Sequence, residues 1–171
     1  FVMYALSNGQ RVCKAMFYNC DISLLRYAFY RNRRVILLNF RLRLRRIAGL
    51  NLLVAVAICA CLAVPLLLTG VPWQWGMHGT LLLSILGLSL FFSVHHLFLY
   101  YVFQPYTTEL GMKNPVFSVL NQGVYLLCFA CLYIDTVPTF FSLMVLAATA
   151  GYVLLALWAV YRWAPKAFRV K

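Results

Sequence analysis

Four long apolar stretches decide what this chain can fold into: residues 50–69, 79–103, 116–134 and 140–161. Each exceeds the roughly 18 residues that an α-helix needs to cross the hydrocarbon core of a bilayer. Inside hydrocarbon every backbone N–H and C=O needs a partner within the protein, so a spanning segment is either a helix or a strand of a closed barrel. A barrel would alternate polar and apolar residues, and none of the four runs does. With 64% of residues hydrophobic and 11% charged, the chain also has too little polar surface to coat a water-soluble globule of 171 residues.

The connections carry the turn chemistry this requires. Gly70, Pro72 and Gly76 punctuate the first, Pro105, Gly111 and Pro115 the second, and Pro138 the third. Loops this short force neighbouring spans to run antiparallel. The expected fold is all-α, a polytopic membrane protein of four transmembrane helices with antiparallel neighbours, preceded by a basic amphipathic surface helix. Its expected divisions are a cytoplasmic or interfacial basic region at 1–47, the transmembrane domain at 48–163 and a basic tail at 164–171.

Lysine and arginine set the expected orientation. Arg26, Arg31, Arg33, Arg34, Arg41, Arg43, Arg45 and Arg46 precede the first run, Lys113 lies between the second and third, and Arg162, Lys166, Arg169 and Lys171 follow the fourth. The other two connections have no basic residue. Both termini and the middle loop are therefore expected in the cytoplasm, with the protein in the plasma membrane. Trp73 and Trp75 in an outer turn, and Tyr161 and Trp163 at an inner end, suit interfacial aromatic belts. The basic residues flank spans, which makes nucleic acid a poor candidate partner despite the net charge of +12.

Residues 21–47 differ in kind. Arg31, Arg34, Arg41 and Arg45 share one helical face, while Ile36, Phe40, Leu44 and Ile47 form another roughly opposite. The pattern predicts an amphipathic helix along the inner leaflet, with Arg31, Arg33, Arg34, Arg41 and Arg45 meeting anionic lipid or a cytoplasmic partner.

Polar residues inside the spans are the candidates for function. Ser89, Ser93, His96, Tyr100 and Gln104 recur at four, three, four and four on one face of the second span. Ser118, Asn121, Gln122 and Tyr125 form a matching stripe on the third. Both lie in the halves expected to be cytoplasmic, so the stripes are expected either to bond across the helix pair or to line a hydrated path. His95 and His96 point about 100° apart and cannot jointly chelate one metal; the plainer expectation has His96 bonded to the third span and His95 nearer the headgroups. Cys128 and Cys131 have C-x-x-C form without a second ligand pair, and the six cysteines otherwise read as small apolar residues. Small residues (Ser84, Gly87, Gly123, Ala147, Ala148, Gly151) offer close-packing positions. Glu109 and Asp135 belong to opposite membrane faces, and no hydrolase, zinc-protease or phosphate-loop motif occurs. Neither a cofactor nor a metal is expected, nor is the chain expected to be an enzyme.

Three strings carry a resemblance. Phe17-Tyr18-Asn19-Cys20-Asp21-Ile22-Ser23-Leu24-Leu25 followed by Phe29-Tyr30-Arg31 is one; His95-His96-Leu97-Phe98-Leu99-Tyr100-Tyr101 with Gln104-Pro105-Tyr106 is the second; Tyr161-Arg162-Trp163-Ala164-Pro165-Lys166-Ala167-Phe168-Arg169 is the third. Together they resemble the C-terminal portion of bacterial (Firmicute-type) ABC exporter permease-like membrane proteins. The resemblance implies a membrane subunit that pairs with a separate ATPase, with residues 19–34 as the contact, and with homo- or hetero-oligomers left open. It carries over no substrate-binding residue. The start Phe-Val-Met-Tyr and the four spans fit a piece of a longer permease. Two alternatives stand beside it: a non-catalytic assembly or lipid-interacting scaffold subunit, and a membrane enzyme using His96, Tyr100 and Asn121.

Overall fold

A computed structural model describes residues 9–27, 32–70, 72–107, 115–130 and 138–168. Among them the chain is helical almost throughout: α1 is Gly9–Met16, α2 Arg33–Leu68, α3 Thr80–Phe103, α4 Pro115–Ala130 and α5 Pro138–Ala167. A π-helical turn, Phe17–Asp21, and a single α turn, Ile22–Leu24, extend α1. A second π-helical turn, Trp75–Gly79, leads into α3.

The fold is that of a multi-pass membrane protein. Three helices, α2, α3 with its leading turn, and α5, are long and apolar enough to cross a bilayer. The shorter apolar α4 covers the described part of the third run, and residues 131–134 lie outside the described residues. Large apolar side chains face outward along the bundle, Leu53 and Leu154 each 70% exposed. In water that surface would be untenable, whereas acyl chains solvate it.

Helix ends follow local chemistry. Asn32 caps α2, its side-chain oxygen accepting from the Arg34 backbone N–H at 3.3 Å. Pro65 deprives the last turn of one backbone donor, and Gly70, at φ +69°, makes the left-handed stop just beyond Thr69. The α3 helix ends differently, at Gln104 in the left-handed region (φ 41°). Pro105 then follows, unable to continue the helix.

The basic segment is helical from Arg33 onward, but not as a helix separate from the first span. One continuous helix of 36 residues runs from Arg33 through the expected boundary at 47/48 to Leu68. Its length is about 54 Å, well beyond the ~30 Å that hydrocarbon requires. No proline stands at the junction. Asn51, a residue suited to capping a new helix, is engaged sideways: its amide donates to Ser93 Oγ on α3 at 2.8 Å. On this stretch Ile36, Phe40 and Ile47 are buried, Leu44 is half-buried, and Arg34, Arg41 and Arg45 are exposed.

Helix α3 is the centre of the bundle, packed by α5, α2 and α1, while α4 touches it lightly. Of the described α4 residues only Phe117 and Asn121 are buried. One core lies at the basic end, where Cys13, Phe17, Ile36, Phe40, Tyr100, Tyr101, Tyr106, Val160, Ala164 and Phe168 meet. Tyr101 stacks on Phe168 at 4.5 Å between ring centroids, and Phe40 meets Tyr101 edge-on at 5.4 Å. The expected basic tail is thus partly core, since Ala164 and Phe168 are fully buried. A smaller core of Ala55, Ile85 and Phe92 lies toward mid-bundle.

Not every small residue is a packing site. A Cβ at Gly87 would lie 3.1 Å from Leu146 of α5, whereas one at Gly123 or Gly151 meets nothing within 4 Å. Gly87→Val is accordingly expected to destabilise the bundle by about 1–3 kcal/mol through overpacking. Gly123→Val should leave the thermal melt of the detergent-solubilised protein within a degree or two of the parent. Equal losses from both would show that α3–α5 packing is not the cause.

Candidate functional site

The densest constellation of charge and polarity lies where α1 and its extension dock on the basic end of the spans. Asp21 closes the π-helical turn and is completely buried. Arg43 grips it with both guanidinium arms: Nη1 donates to Oδ2 at 2.7 Å and Nη2 to Oδ1 at 2.5 Å. The Tyr100 hydroxyl of α3 donates a short hydrogen bond to the same Oδ2. Arg43 also lies over the Tyr101 ring, 5.8 Å from its centroid. A carboxylate removed from water needs a counter-charge and donors for its lone pairs, and this fork-on-carboxylate geometry supplies both.

Sequence reasoning missed this pair. Arg43 disappears in the run Arg41-Leu42-Arg43-Leu44-Arg45-Arg46. Yet it stands three residues after Phe40 and four before Ile47, at the edge of the buried face, and Asp21 is the one acid in the basic region. Those two facts were the available signal.

Around the pair, Cys13 and Tyr106 are sealed from water. Burial pushes the Cys13 thiol well above its usual range, against a smaller opposing pull from the Arg43 charge. Burial likewise raises the Tyr106 phenol, with Cys13 and Tyr18 adding to the effect. Tyr106 donates to the Gln10 carbonyl at 3.2 Å, and Tyr18 to the Thr107 carbonyl at 3.1 Å, tying α1 to the segment after α3.

The polar stripe of α3 is buried along its whole length, but its partners are mostly not on α4. Ser93 accepts from Asn51 of α2 and donates to the Ser89 carbonyl at 2.7 Å. The Nδ1–H of His96 donates to the Phe92 carbonyl at 2.7 Å, within its own helix. Above it sits Gly9 of α1, where a Cβ would fall 2.9 Å from the His96 Cβ. Tyr100 goes to Asp21. Gln104 is buried at the left-handed stop, and neither atom of its amide has a hydrogen-bond partner. Of the α4 stripe, Ser118 and Gln122 face outward and Tyr125 stacks at 5.5 Å on Phe92.

Of the two α4 amides only that of Asn121 is buried, and its Oδ1 has no hydrogen-bond partner. His95 is buried and shares a 2.8 Å hydrogen bond with the Tyr152 hydroxyl of α5. His96 thus packs beneath α1, and His95 bonds to α5, a partner that the sequence did not indicate. Burial of both histidines follows from the crowding of α3, which has neighbours on three sides.

Arg33, Arg34, Arg41 and Arg45 are all exposed, and Arg33 also lies over Tyr161 of α5 at 5.8 Å. Arg31, Glu109, Lys113, Cys131 and Asp135 lie outside the described residues. Among the described residues no group of three His, Cys, Asp or Glu side chains is placed to hold a metal. At the opposite end, Ser84 and Ser142 bond at 2.8 Å and Ser142 donates to the Thr80 carbonyl, pinning α3 to α5.

Removing either member of a buried pair strands the other. Asp21→Leu and Arg43→Met are each expected to cost about 3–5 kcal/mol in denaturant unfolding, and the two together less than the sum. Strict additivity would dissolve the pair as a unit. Cysteine labelling reports the same docking: in the folded protein a charged maleimide should modify exposed Cys20 and leave buried Cys13 intact up to pH 9. Labelling of Cys13 at the rate of Cys20 would show that α1 is undocked. Comparison with protein-family models, with curated proteins and with solved structures finds no match to this chain.

Proposed function

We propose that this chain is the membrane-embedded permease component of an ATP-driven exporter, working with a separate ATPase, with its basic end in the cytoplasm. One observation carries the reading. The described parts of the three strings that resemble exporter permeases, 17–25, 95–106 and 161–168, meet in one core at the basic end. Phe17 meets Tyr106 at 5.7 Å, Asp21 bonds Tyr100, and Tyr100 meets Phe168 edge-on at 5.3 Å. An ATPase in the cytoplasm acts on a transport path only through a part that moves with the spans. The α1 segment, joined to α2 and α3 through a buried ion pair, is such a part, and it leaves Lys14, Cys20, Ser23 and Arg26 on its outer surface.

The polar stripes support this reading over an enzyme. Ser93 is bonded to α2, whereas His96 and Tyr100 meet opposite ends of the α1 segment, which favours packing over shared chemistry at those positions. A non-catalytic scaffold uses the same docked segment without an ATPase, so the discriminating measurement is the partner itself. Purification of the chain from its native membranes should bring an ATP-hydrolysing subunit with it. Joint charge reversal (Lys14→Glu, Arg26→Glu, Arg34→Glu) should lower that subunit by at least about tenfold while the melt is unchanged. Native preparations with no ATPase, or reversal without effect on its recovery, would remove the transport reading and leave the scaffold.

A further inference from the structure

A groove of about 620 Å³ opens on the outside of the bundle where α2, α3 and α5 diverge. Its walls are apolar, built from Leu44 and Ala48 of α2, Leu90 and Val94 of α3, and Leu146 to Leu154 along α5. The one hydroxyl in it, that of Thr149, donates back to the Val145 carbonyl at 2.8 Å and offers little to a polar guest. Arg45 stands at the basic mouth, exposed.

We propose that this groove binds one phospholipid with an anionic headgroup, its phosphate against Arg45 and one acyl chain along α5. The dimensions suit that guest. Leu154 lies eight positions beyond Leu146, about 12 Å of helix, close to one leaflet's share of a ~30 Å hydrocarbon core. The charge suits it too. Arg41 lies one turn from Arg45 on the same face. Asp21, the acid described at this end, is buried and already held by Arg43. The mouth is thus positive and the interior greasy, the two features that an anionic amphiphile satisfies at once. A polar transported solute would find nothing to bond below the mouth. The proposal requires the basic end to face an anionic leaflet and is independent of any ATPase, so either reading can fail alone.

The test uses the whole chain in nanodiscs of equal phosphatidylglycerol and phosphatidylcholine, released and weighed by native mass spectrometry. The parent should retain phosphatidylglycerol over phosphatidylcholine by about fivefold, the discrimination one arginine near the surface supplies. Arg45→Gln should bring the ratio close to one, and Ala150→Phe, which fills the groove, should reduce retention of both lipids. Arg46→Gln, outside the groove, should keep the preference. Arg45→Gln alters an exposed side chain, so its fold is not at risk even if Ala150→Phe proves unstable. Equal retention of the two lipids by the parent would overturn the proposal. So would loss of preference in Arg46→Gln as complete as in Arg45→Gln, since that marks diffuse charge, and so would a lipid-free dimer in place of the lipid-bound monomer.

Discussion

A carboxylate with no access to water governs the basic end of this bundle. Asp21 is stable there only while Arg43 supplies charge and Tyr100 a further donor, and the three groups come from three separate segments. Solvation lost by the ions is recovered only in one geometry, so the interaction is selective more than it is adhesive. It fixes the rotation of α2 about its axis, the depth of α1 and the height of α3 together. Tyr101, Phe168 and Phe40 then close around the pair as an aromatic shell that keeps water out.

From that fixed end the bundle loosens in a graded way. The middle is held by directed polar bonds, Asn51 to Ser93 and His95 to Tyr152, spaced among apolar contacts. The far end relies on the Ser84–Ser142 bond and on two tryptophans in a turn. Helix α4 stands nearly apart, tied through Phe117, Asn121 and Tyr125. Interhelical hydrogen bonds in lipid contribute only about 1 kcal/mol each, because the separated helices find other partners. An ion pair shielded from both lipid and water is the stronger constraint, and the hierarchy of order follows from it.

Which parts of this were legible in the sequence depends on the range of the physics involved. Hydrocarbon solvation acts residue by residue, so the spans could be read closely: 79–103 became Thr80–Phe103, and 140–161 lies within Pro138–Ala167. Helical periodicity showed which residues of α3 share a face, and that face is buried. Periodicity does not say which neighbour the face meets. The third span carries the matching stripe, yet Ser93 found α2 and His96 found α1. Arg43 was hidden by its own neighbours, since five like residues nearby made its charge look generic. Gly9 gave no signal at all, because its value lies in the missing Cβ that lets α1 settle on His96.

The unbroken run of α2 makes the helix a lever. About 24 Å of it lies beyond the length needed to cross the hydrocarbon. A change of tilt of about 10° in the bilayer would carry the Arg33 end sideways by roughly 4 Å. Arg43, partway along that arm, holds Asp21, and Arg33 near its tip lies over Tyr161 of α5. Small reorientations of a span thus become coordinated displacements of the whole basic end, and a push on that end tilts the span in return.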